Sequence, residues 1–318
     1  MSHVDWLSHL LQMITVTGRL EVRCTYGAPW RVAWAQSSAH EIPYHVVLKG
    51  RAIIEDAETG TARELVGGDL VLLPDGAAHV LHDGSGHTPG RTFNRQSAAG
   101  FLVSENGGEG ERLDMLCGRF CIGAPHDRLI RDYLPTNVVV RTMDGRAEEV
   151  AESASSHLAG LLRLMRVESM GEKPGGHAVL NALTAALFTL VLRAASESEQ
   201  APAGLLALAG HPRLAPAISA MFGDPARAWT VPDLAGLCNM SRATFMRQFQ
   251  DKLGRSAIEM LTDIRMSMAA NVLKKPLMTT EAVADTVGYQ SVAAFRRAFT
   301  EKMGMTPGQW RSLAHEAE

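Results

Sequence analysis

Arginine side chains at two places near the C-terminus have the chemistry to read DNA bases. Arg242 and Arg247 form the first group, and Arg296 and Arg297 form the second. A guanidinium group can donate two hydrogen bonds to guanine in the major groove, and a small apolar side chain can contact the methyl group of thymine. Residues of the second kind accompany the arginines, namely Ala243, Met246, Val292 and Ala293. Each arginine can equally bind a phosphate or remain in solvent, so the eight residues are candidate DNA contacts.

Both arginine groups lie in a block that repeats itself at an offset of fifty residues. The repeated positions are Ser241, Ala243, Phe245, Arg247, Phe249, Lys252 and Gly254, followed by Ser291, Ala293, Phe295, Arg297, Phe299, Lys302 and Gly304. Such a repeat indicates two copies of one supersecondary unit. Each copy predicts a helix-turn-helix, and the helices are Val231–Leu237 with Ser241–Leu253, then Thr280–Val287 with Ser291–Met303. A long helix over Ile258–Leu273 is predicted to join the copies.

The second helix of each predicted copy has start and stop signals as well as an apolar face. Ser241 and Ser291 can cap the helix N-terminus, and Gly254 and Gly304 can end it in a left-handed conformation. Phenylalanine recurs every four residues, which directs one face to the core and leaves the arginines outside. Two such helices are expected to enter successive major grooves about 34 Å apart.

The second copy resembles the signature of AraC/XylS transcription regulators. The matching segments are Gly288–Ser291, Phe295–Phe299, Gly304–Pro307 and Trp310–Arg311, and the match covers roughly the last hundred residues. The resemblance implies a double helix-turn-helix that binds double-stranded promoter DNA. It also implies a homodimeric regulator, an activator in the expected case, with RNA polymerase as a further partner.

The N-terminal part has the texture of a β-fold and resembles the cupin-type effector domain of the same family. Short β-like runs punctuated by glycine extend from Leu20 to about Val140, which suggests a sandwich or barrel. Gly84–Gly110 is predicted to be a long loop or hairpin. The segment Gly68–His79 resembles a cupin motif of glycine, proline, glycine and histidine, with Tyr44–Gly50 upstream.

Histidines in this β-region are candidates for binding a ligand or a metal. His45 and His79 are predicted to converge inside the barrel, where they are either satisfied core histidines or contacts for a small molecule. Cupin enzymes hold a metal through a His-x-His pair, but Val47 stands where the second histidine would be. We therefore expect no cofactor and no catalytic activity, with a metal site as the less favoured alternative to a ligand site.

Two cysteines are candidates for redox sensing. Cys24 and Cys117 lie where a subgroup of the family that senses reactive chlorine carries its cysteines, and this resemblance implies a switch driven by oxidation. Arg23 and Arg119 are expected to lower the thiol pKa values and favour attack on an oxidant. The alternative is that both thiols are small buried hydrophobes. Cys121 is an unlikely partner for Cys117, since four residues of extended strand span about 13 Å.

The whole chain of 318 residues is long enough for two domains with separate cores. Residues from His211 onward carry 13 basic and 10 acidic side chains, while the remainder carries 18 and 24, so the acidic body has a basic tail. We predict an α+β protein with a cupin-like sensor over residues 1–145, a helical dimerisation or linker region over 146–204 and a DNA-binding domain over 205–318. We expect a cytoplasmic location, because neither a signal peptide nor a membrane-spanning run is recognisable.

Overall fold

The computed structural model describes residues 5–97, 99–142, 153–171, 173–198, 201–275 and 278–316. Contacts divide the chain into two compact units. The β-rich unit contains Val16–Ile122 and Pro135–Gln200, and the helical unit contains Met1–Thr15, Gly123–Leu134 and Ala201–Glu318. The predicted boundary at 145/146 lies outside the described residues.

Eleven strands build the β-rich unit in the part of the chain that the structure describes. They are β1 (Val16–Gly27), β2 (Arg31–Trp34), β3 (Glu41–Lys49), β4 (Arg51–Asp56), β5 (Ala62–Val66), β6 (Asp69–Leu72), β7 (His79–His82), β8 (Thr92–Gln96), β9 (Leu102–Asn106), β10 (Arg112–Ile122) and β11 (Val138–Arg141). The predicted loop or hairpin over Gly84–Gly110 is a hairpin of β8 and β9.

The strands form two sheets with an apolar core between them. The larger sheet has the order β11-β6-β3-β10-β1-β9-β8, and the smaller has the order β2-β7-β4-β5. All the pairs are antiparallel except β1 with β9. The core draws residues from both sheets and includes Cys24, Val47, Ile54, Leu65, Leu81, Met115 and Cys117. This arrangement confirms the predicted α+β class with an N-terminal cupin-like β-fold.

Two helices, α3 (Ala154–Met170) and α4 (Gly176–Glu197), pack together, and α4 packs on the larger sheet. The close approach requires Gly18, since a Cβ atom there would lie 2.5 Å from the Thr184 side chain. Phe188 packs against Phe120 of β10 with the rings tilted and their centroids 5.0 Å apart. Among the described residues, α4 is the one helix long and apolar enough to span a membrane, but its packing on the sheet is that of a core helix.

The remaining helices form the helical unit. They are α1 (Trp6–Met13), α2 (Asp127–Tyr133), α5 (Leu205–Ala209), α6 (Ala215–Gly223), α7 (Val231–Leu237), α8 (Arg242–Leu253), α9 (Ala257–Leu273), α10 (Thr280–Thr286), α11 (Val292–Met303) and α12 (Pro307–Glu316). The pairs α7–α8 and α10–α11 are the two predicted helix-turn-helix copies, and α9 is the predicted connector. Their positions agree with the sequence because caps and apolar stripes are local signals.

The helical unit also includes two segments that the sequence places in the sensor region. Helix α1 packs on α6 and α9, and α2 packs on α9. The helices α3 and α4, which the sequence places in a separate linker region, are part of the β-rich unit. Contacts therefore group the chain differently from the three predicted regions, because segments distant in sequence share one core.

Candidate nucleic-acid interface and buried thiol–histidine site

The first candidate recognition helix, α8, presents the predicted residues to solvent. The Ser241 hydroxyl accepts a hydrogen bond from the Thr244 amide at 3.2 Å, and Gly254 ends the helix with φ of 75°. Phe245 and Phe249 are fully buried. The opposite face exposes the four predicted residues Arg242, Ala243, Met246 and Arg247.

The second candidate recognition helix, α11, repeats this arrangement with two differences. Arg296 lies 3.4 Å from the Glu281 carboxylate. An exposed ion pair contributes less than about 1 kcal/mol, so Arg296 can exchange this partner for DNA. Val292, which was expected to face outward, is half-buried and packs against the core of the second copy. Ala293, Arg296 and Arg297 are exposed as predicted.

An arginine of the connector helix holds the loop that precedes the first copy. Arg265 donates hydrogen bonds to the carbonyl oxygens of Pro225 and Arg227, both at 2.7 Å. Its guanidinium group also lies over the Tyr289 ring, 5.7 Å from the centroid. Next to Tyr289, a Cβ atom at Gly288 would stand 2.0 Å from the Ala226 carbonyl oxygen. Loop 225–227 and the turn of the second copy are thus fixed against each other, which braces the two copies.

The structure brings Cys24 and Cys117 together in the core of the β-rich unit. Cys24 lies opposite Met115 in the β1–β10 ladder and Val22 lies opposite Cys117, so the two thiols are diagonal neighbours. The register shifts between Leu20 and Val22. Such a bulge changes which residues of the strand point inward, and it places Cys24 on the core face. Cys121 is half-buried, and Cys238 is buried in the helical unit.

The two buried thiols differ in acidity. A hydrogen bond from the Cys117 side chain lowers the pKa of Cys24, against the effect of burial. Burial raises the pKa of Cys117 well above its ordinary value. Cys24 is therefore the better nucleophile of the pair.

The expected activation of these thiols by arginine is wrong. Arg23 donates two hydrogen bonds to Asp114, at 3.0 and 2.9 Å. Arg119 is held by Glu21 and Glu41, each at 2.7 Å. Adjacent residues of a strand point to opposite faces, so Arg23 cannot reach the thiol beside it. The acidic partners neutralise both guanidinium groups, and the thiol pKa values are set by each other and by burial instead.

His45 and His79 converge inside the β-fold and join its two sheets. Their Nε2 atoms are 2.7 Å apart, and both side chains are buried. The Nδ1 atom of His79 lies 2.7 Å from the Ala77 carbonyl oxygen, which can only accept, so this nitrogen carries the proton. His79 Nε2 must then accept from His45 Nε2–H. The Nδ1 atom of His45 is left as a buried acceptor with no partner among the described residues.

Trp34 completes this site, although no motif or spacing marks it as a candidate in the sequence. Its ring stacks on His79 at 6.2 Å and meets His45 edge-on at 5.1 Å. The Trp34 Nε1 atom is buried without a hydrogen-bond partner in the described part of the chain. Cys117 lies directly opposite His45 in the β3–β10 ladder, so one of the two thiols and one of the two histidines share a row of the larger sheet. The described residues contain no cluster of three metal-ligating side chains.

The buried histidine pair predicts that acid destabilises the β-rich unit. Burial lowers the pKa of His45, assisted by the charge of His79. Burial also lowers the pKa of His79, despite the Ala77 hydrogen bond and the charges of Asp56 and Asp75. Below about pH 6.5 the two histidines bind protons in the unfolded chain, whereas burial keeps them neutral in the folded unit. The free energy of unfolding is therefore highest above this pH and decreases below it.

On the acid side, we expect each histidine to lower the free energy of unfolding by up to about 1.4 kcal/mol per pH unit, until the pH reaches the pKa of that histidine in the folded unit. Thermal unfolding between about pH 5 and pH 8 should show this loss, and the double variant His45→Gln/His79→Gln should flatten it. An unchanged pH profile in the double variant would contradict the prediction.

A double helix-turn-helix on one unit and a two-sheet β-fold with a buried polar row on the other define a DNA-binding regulator with an N-terminal cupin-like domain. Residues 5–197 match the family model described as Cupin, and residues 234–312 match the model described as Helix-turn-helix domain. The chain belongs to the AraC/XylS family of transcription regulators that carry an N-terminal cupin domain, and it is a sequence-specific DNA-binding transcription regulator.

Curated relatives align over nearly the whole chain. The chain is 28% identical over 314 residues to the RCS-specific HTH-type transcriptional activator RclR of Escherichia coli (strain K12), covering 98% of this chain and 99% of that protein. It is 29% identical over 311 residues to the HTH-type transcriptional regulator MtrA of Neisseria gonorrhoeae, with coverages of 97% and 98%. Among solved structures, the DNA-binding domain of AdpA in complex with a target DNA is 25% identical with a TM-score of 0.32, covering 34% of this chain and 96% of that domain.

Proposed function

We propose that this regulator senses oxidants through Cys24 and Cys117 and that the eight exposed or half-exposed residues of α8 and α11 read its operator. The diagonal placement of the two thiols on adjacent strands of one buried core carries the sensing part of the proposal. The similarity to a relative described as specific for RCS supports it. Under this assignment the β-fold is a sensor without catalytic activity.

The proposed chemistry uses hypochlorous acid as the oxidant. The Cys24 thiolate attacks chlorine, which forms an S–Cl bond and releases hydroxide. The Cys117 sulfur then attacks the Cys24 sulfur, forms the S–S bond, expels chloride and loses its proton. Two thiols are thus oxidised by two electrons, and hypochlorous acid is reduced to chloride and water.

The position of the thiols implies that formation of this disulfide would move one strand relative to its neighbour. Diagonal neighbours on adjacent strands have Cα atoms about 7–8 Å apart, whereas disulfides need about 4.4–6.8 Å. Cys24 and Cys117 are such neighbours, so their oxidation must shift β1 relative to β10. Under this proposal the reduced pair keeps the native register, and the oxidised pair displaces it.

A hypochlorite pulse tests the proposal in vitro, with DNA fragments selected by the full chain from random sequence. We expect the pulse to change operator affinity or transcription about 5- to 150-fold, with reversal by dithiothreitol. Cys24→Ser and Cys117→Ser should abolish the response, while the matched controls Cys121→Ser and Cys238→Ser should keep it. Mass spectrometry of unreduced peptides should find the Cys24–Cys117 bond. A full response in Cys24→Ser would overturn the redox assignment.

A small-molecule ligand is the second candidate signal, and the site at His45 favours it. The Trp34 and His45 rings meet edge-on with centroids 5.1 Å apart. Each ring carries a buried nitrogen without a hydrogen-bond partner among the described residues, namely the acceptor Nδ1 of His45 and the donor Nε1 of Trp34. A ligand carrying both a hydroxyl and an acceptor oxygen would satisfy the two atoms. If the cysteine variants respond as the wild type does, thermal-shift screening against His45→Gln and Trp34→Phe variants is the next experiment.

We also propose a cytoplasmic homodimer that contacts RNA polymerase. The apolar side chains Leu164, Val167 and Met170 of α3 and Val179 of α4 are exposed on the β-rich unit. Covering them with a second copy would remove this apolar surface from water. Sedimentation of the wild type and of Val167→Glu, which places a charge in the patch, tests the dimer, because the variant should be monomeric.

A further inference from the structure

A short segment from the sensor part of the sequence is built into the helical unit. The inserted segment, Gly123–Leu134, follows β10 directly and is itself followed by Pro135, where the chain returns to the β-rich unit. Its helix α2 packs on the connector helix α9. Strand β10 carries Cys117, so the residue proposed to react and the inserted segment belong to one continuous stretch of chain.

Polar residues on α9 form hydrogen bonds with the inserted segment. Asp263, Ser267 and Asn271 are four residues apart, so they form one stripe along an otherwise largely apolar buried face. Ser267 is almost fully buried. A buried polar stripe needs partners with matching geometry, and the described contacts supply them.

His126 satisfies the C-terminal part of the stripe. The Asn271 amide nitrogen donates to the Met13 carbonyl oxygen at 2.6 Å, which turns its Oδ1 atom toward His126 Nε2 at 2.8 Å. His126 must donate from Nε2, and its Nδ1 atom then accepts from the Ser267 hydroxyl at 2.5 Å. This chain of hydrogen bonds has one consistent direction, and it ties α1, the inserted segment and α9 together.

Tyr133 and its neighbours satisfy the N-terminal part of the stripe. The Tyr133 hydroxyl donates to the Asp263 carboxylate at 2.5 Å, and Lys302 at the end of α11 lies 2.6 Å from the same carboxylate. Arg128 of the inserted segment donates to the Lys302 carbonyl oxygen. Arg255, which precedes α9, lies 3.1 Å from Asp132 and stands over the Tyr133 ring. The inserted segment thus touches the connector and the second recognition helix.

We infer that the inserted segment is a positioning element of the DNA reader, in which His126 and Tyr133 couple the state of β10 to the connector helix. The inference rests on the proposed reading of DNA by α8 and α11, but it is independent of which signal acts on the β-rich unit. A shift of β10 moves the first residue of the inserted segment, and the stripe on α9 transfers this movement to the element that joins both readers.

Thermodynamic linkage between DNA binding and β10 allows this coupling to be tested without knowing the signal. If β10 biases the reader, DNA binding must bias β10 by the same free energy. We would measure hydrogen exchange of the full chain with and without operator DNA selected from random sequence. The expected result is slower exchange in α8 and α11 together with an altered rate, by at least about fivefold, in residues 112–122 of β10.

The double variant Tyr133→Phe/Ser267→Ala removes two hydroxyl groups and keeps the packing volume. We expect it to retain the DNA-dependent protection of α8 and α11 and to lose the change in 112–122. Ser312→Ala is the matched control, because within the described part of the chain the Ser312 hydroxyl bonds only the Gly308 carbonyl of its own helix. This control should leave every change in place. If the double variant is unstable, the single variant Tyr133→Phe is measured in the same way.

Three outcomes would contradict the inference, and they distinguish its failure from failure of the function on which it rests. Protection of α8 and α11 without any change in 112–122 of the wild type would overturn the inference and leave DNA reading intact. A change in 112–122 that persists in the variants would also overturn it. Absence of protection in α8 and α11 would overturn the proposed DNA contacts and, with them, the inference.

Discussion

Replacing Arg242 and Arg247 together with alanine is expected to lower the affinity of the full chain for its operator at least about 30-fold. Each bidentate contact to guanine is worth about 1–3 kcal/mol, and the two side chains share the exposed face of α8. The phenylalanines that hold α8 in place are untouched, so the helix should remain folded. Fluorescence anisotropy with the selected operator measures the loss.

The matched control for this loss is the double variant Arg91→Ala/Arg95→Ala. It removes the same charge from an exposed hairpin of the β-rich unit, where Arg95 is 62% exposed. We expect this control to bind the operator as the wild type does. Affinity for random DNA separates the two roles of the α8 arginines, because lost phosphate contacts weaken all sequences alike and flatten the salt dependence. An equal loss on operator and random DNA would contradict base reading by these residues.

The helix-turn-helix copies were predictable from sequence because their signals are local. Serine caps, glycine ends and phenylalanines four residues apart each act within one helix, so no distant contact is needed to place α8 and α11. Arg265 shows the limit of this reasoning, since its partners are backbone carbonyl groups forty residues away. A side chain bound to distant backbone leaves no pattern in the sequence.

The buried site of the β-rich unit was predictable in its residues and not in its geometry. Strand alternation alone argues that Arg23 points away from Cys24, and the expectation that it activates the thiol overlooked this rule. The bulge between Leu20 and Val22 decides which face Cys24 occupies, and nothing in the residue types marks it. Trp34 lies on a short strand that no apolar run indicates, yet its ring stacks on His79.

The inserted segment could not be assigned to the helical unit from sequence. Leu129 and Ile130 are buried apolar residues of α2, and such residues require a core without specifying which one. Its polar partners on α9 lie more than one hundred residues away in the chain. A hydrophobic pattern therefore predicts that a segment is buried, while the choice of partner depends on shape and on matched hydrogen bonds such as that of Tyr133.

The largest effect on the second reader is expected from Gly288→Ala. Gly288 has φ of +80°, which costs a residue with a Cβ atom about 1–2 kcal/mol. The added Cβ atom would also stand 2.0 Å from the Ala226 carbonyl oxygen, in the loop that Arg265 fixes. The turn cannot relieve this overlap without separating the second copy from that loop. We expect a local destabilisation of about 3 kcal/mol or more. The operator affinity should fall about 100-fold or more, toward the affinity of a single helix-turn-helix copy.

Gly304→Ala isolates the steric part of this effect. Gly304 has nearly the same φ, +74°, but a Cβ atom there meets nothing within 4 Å. The conformational cost of about 1–2 kcal/mol should therefore be the whole loss of local stability in this variant, and both recognition helices should stay in place. Hydrogen exchange of α10 and α11, with the β-rich unit as an internal reference, measures the local stability of each variant. Equal losses in the two variants would show that backbone strain, and not the brace against Ala226, holds the second copy in place.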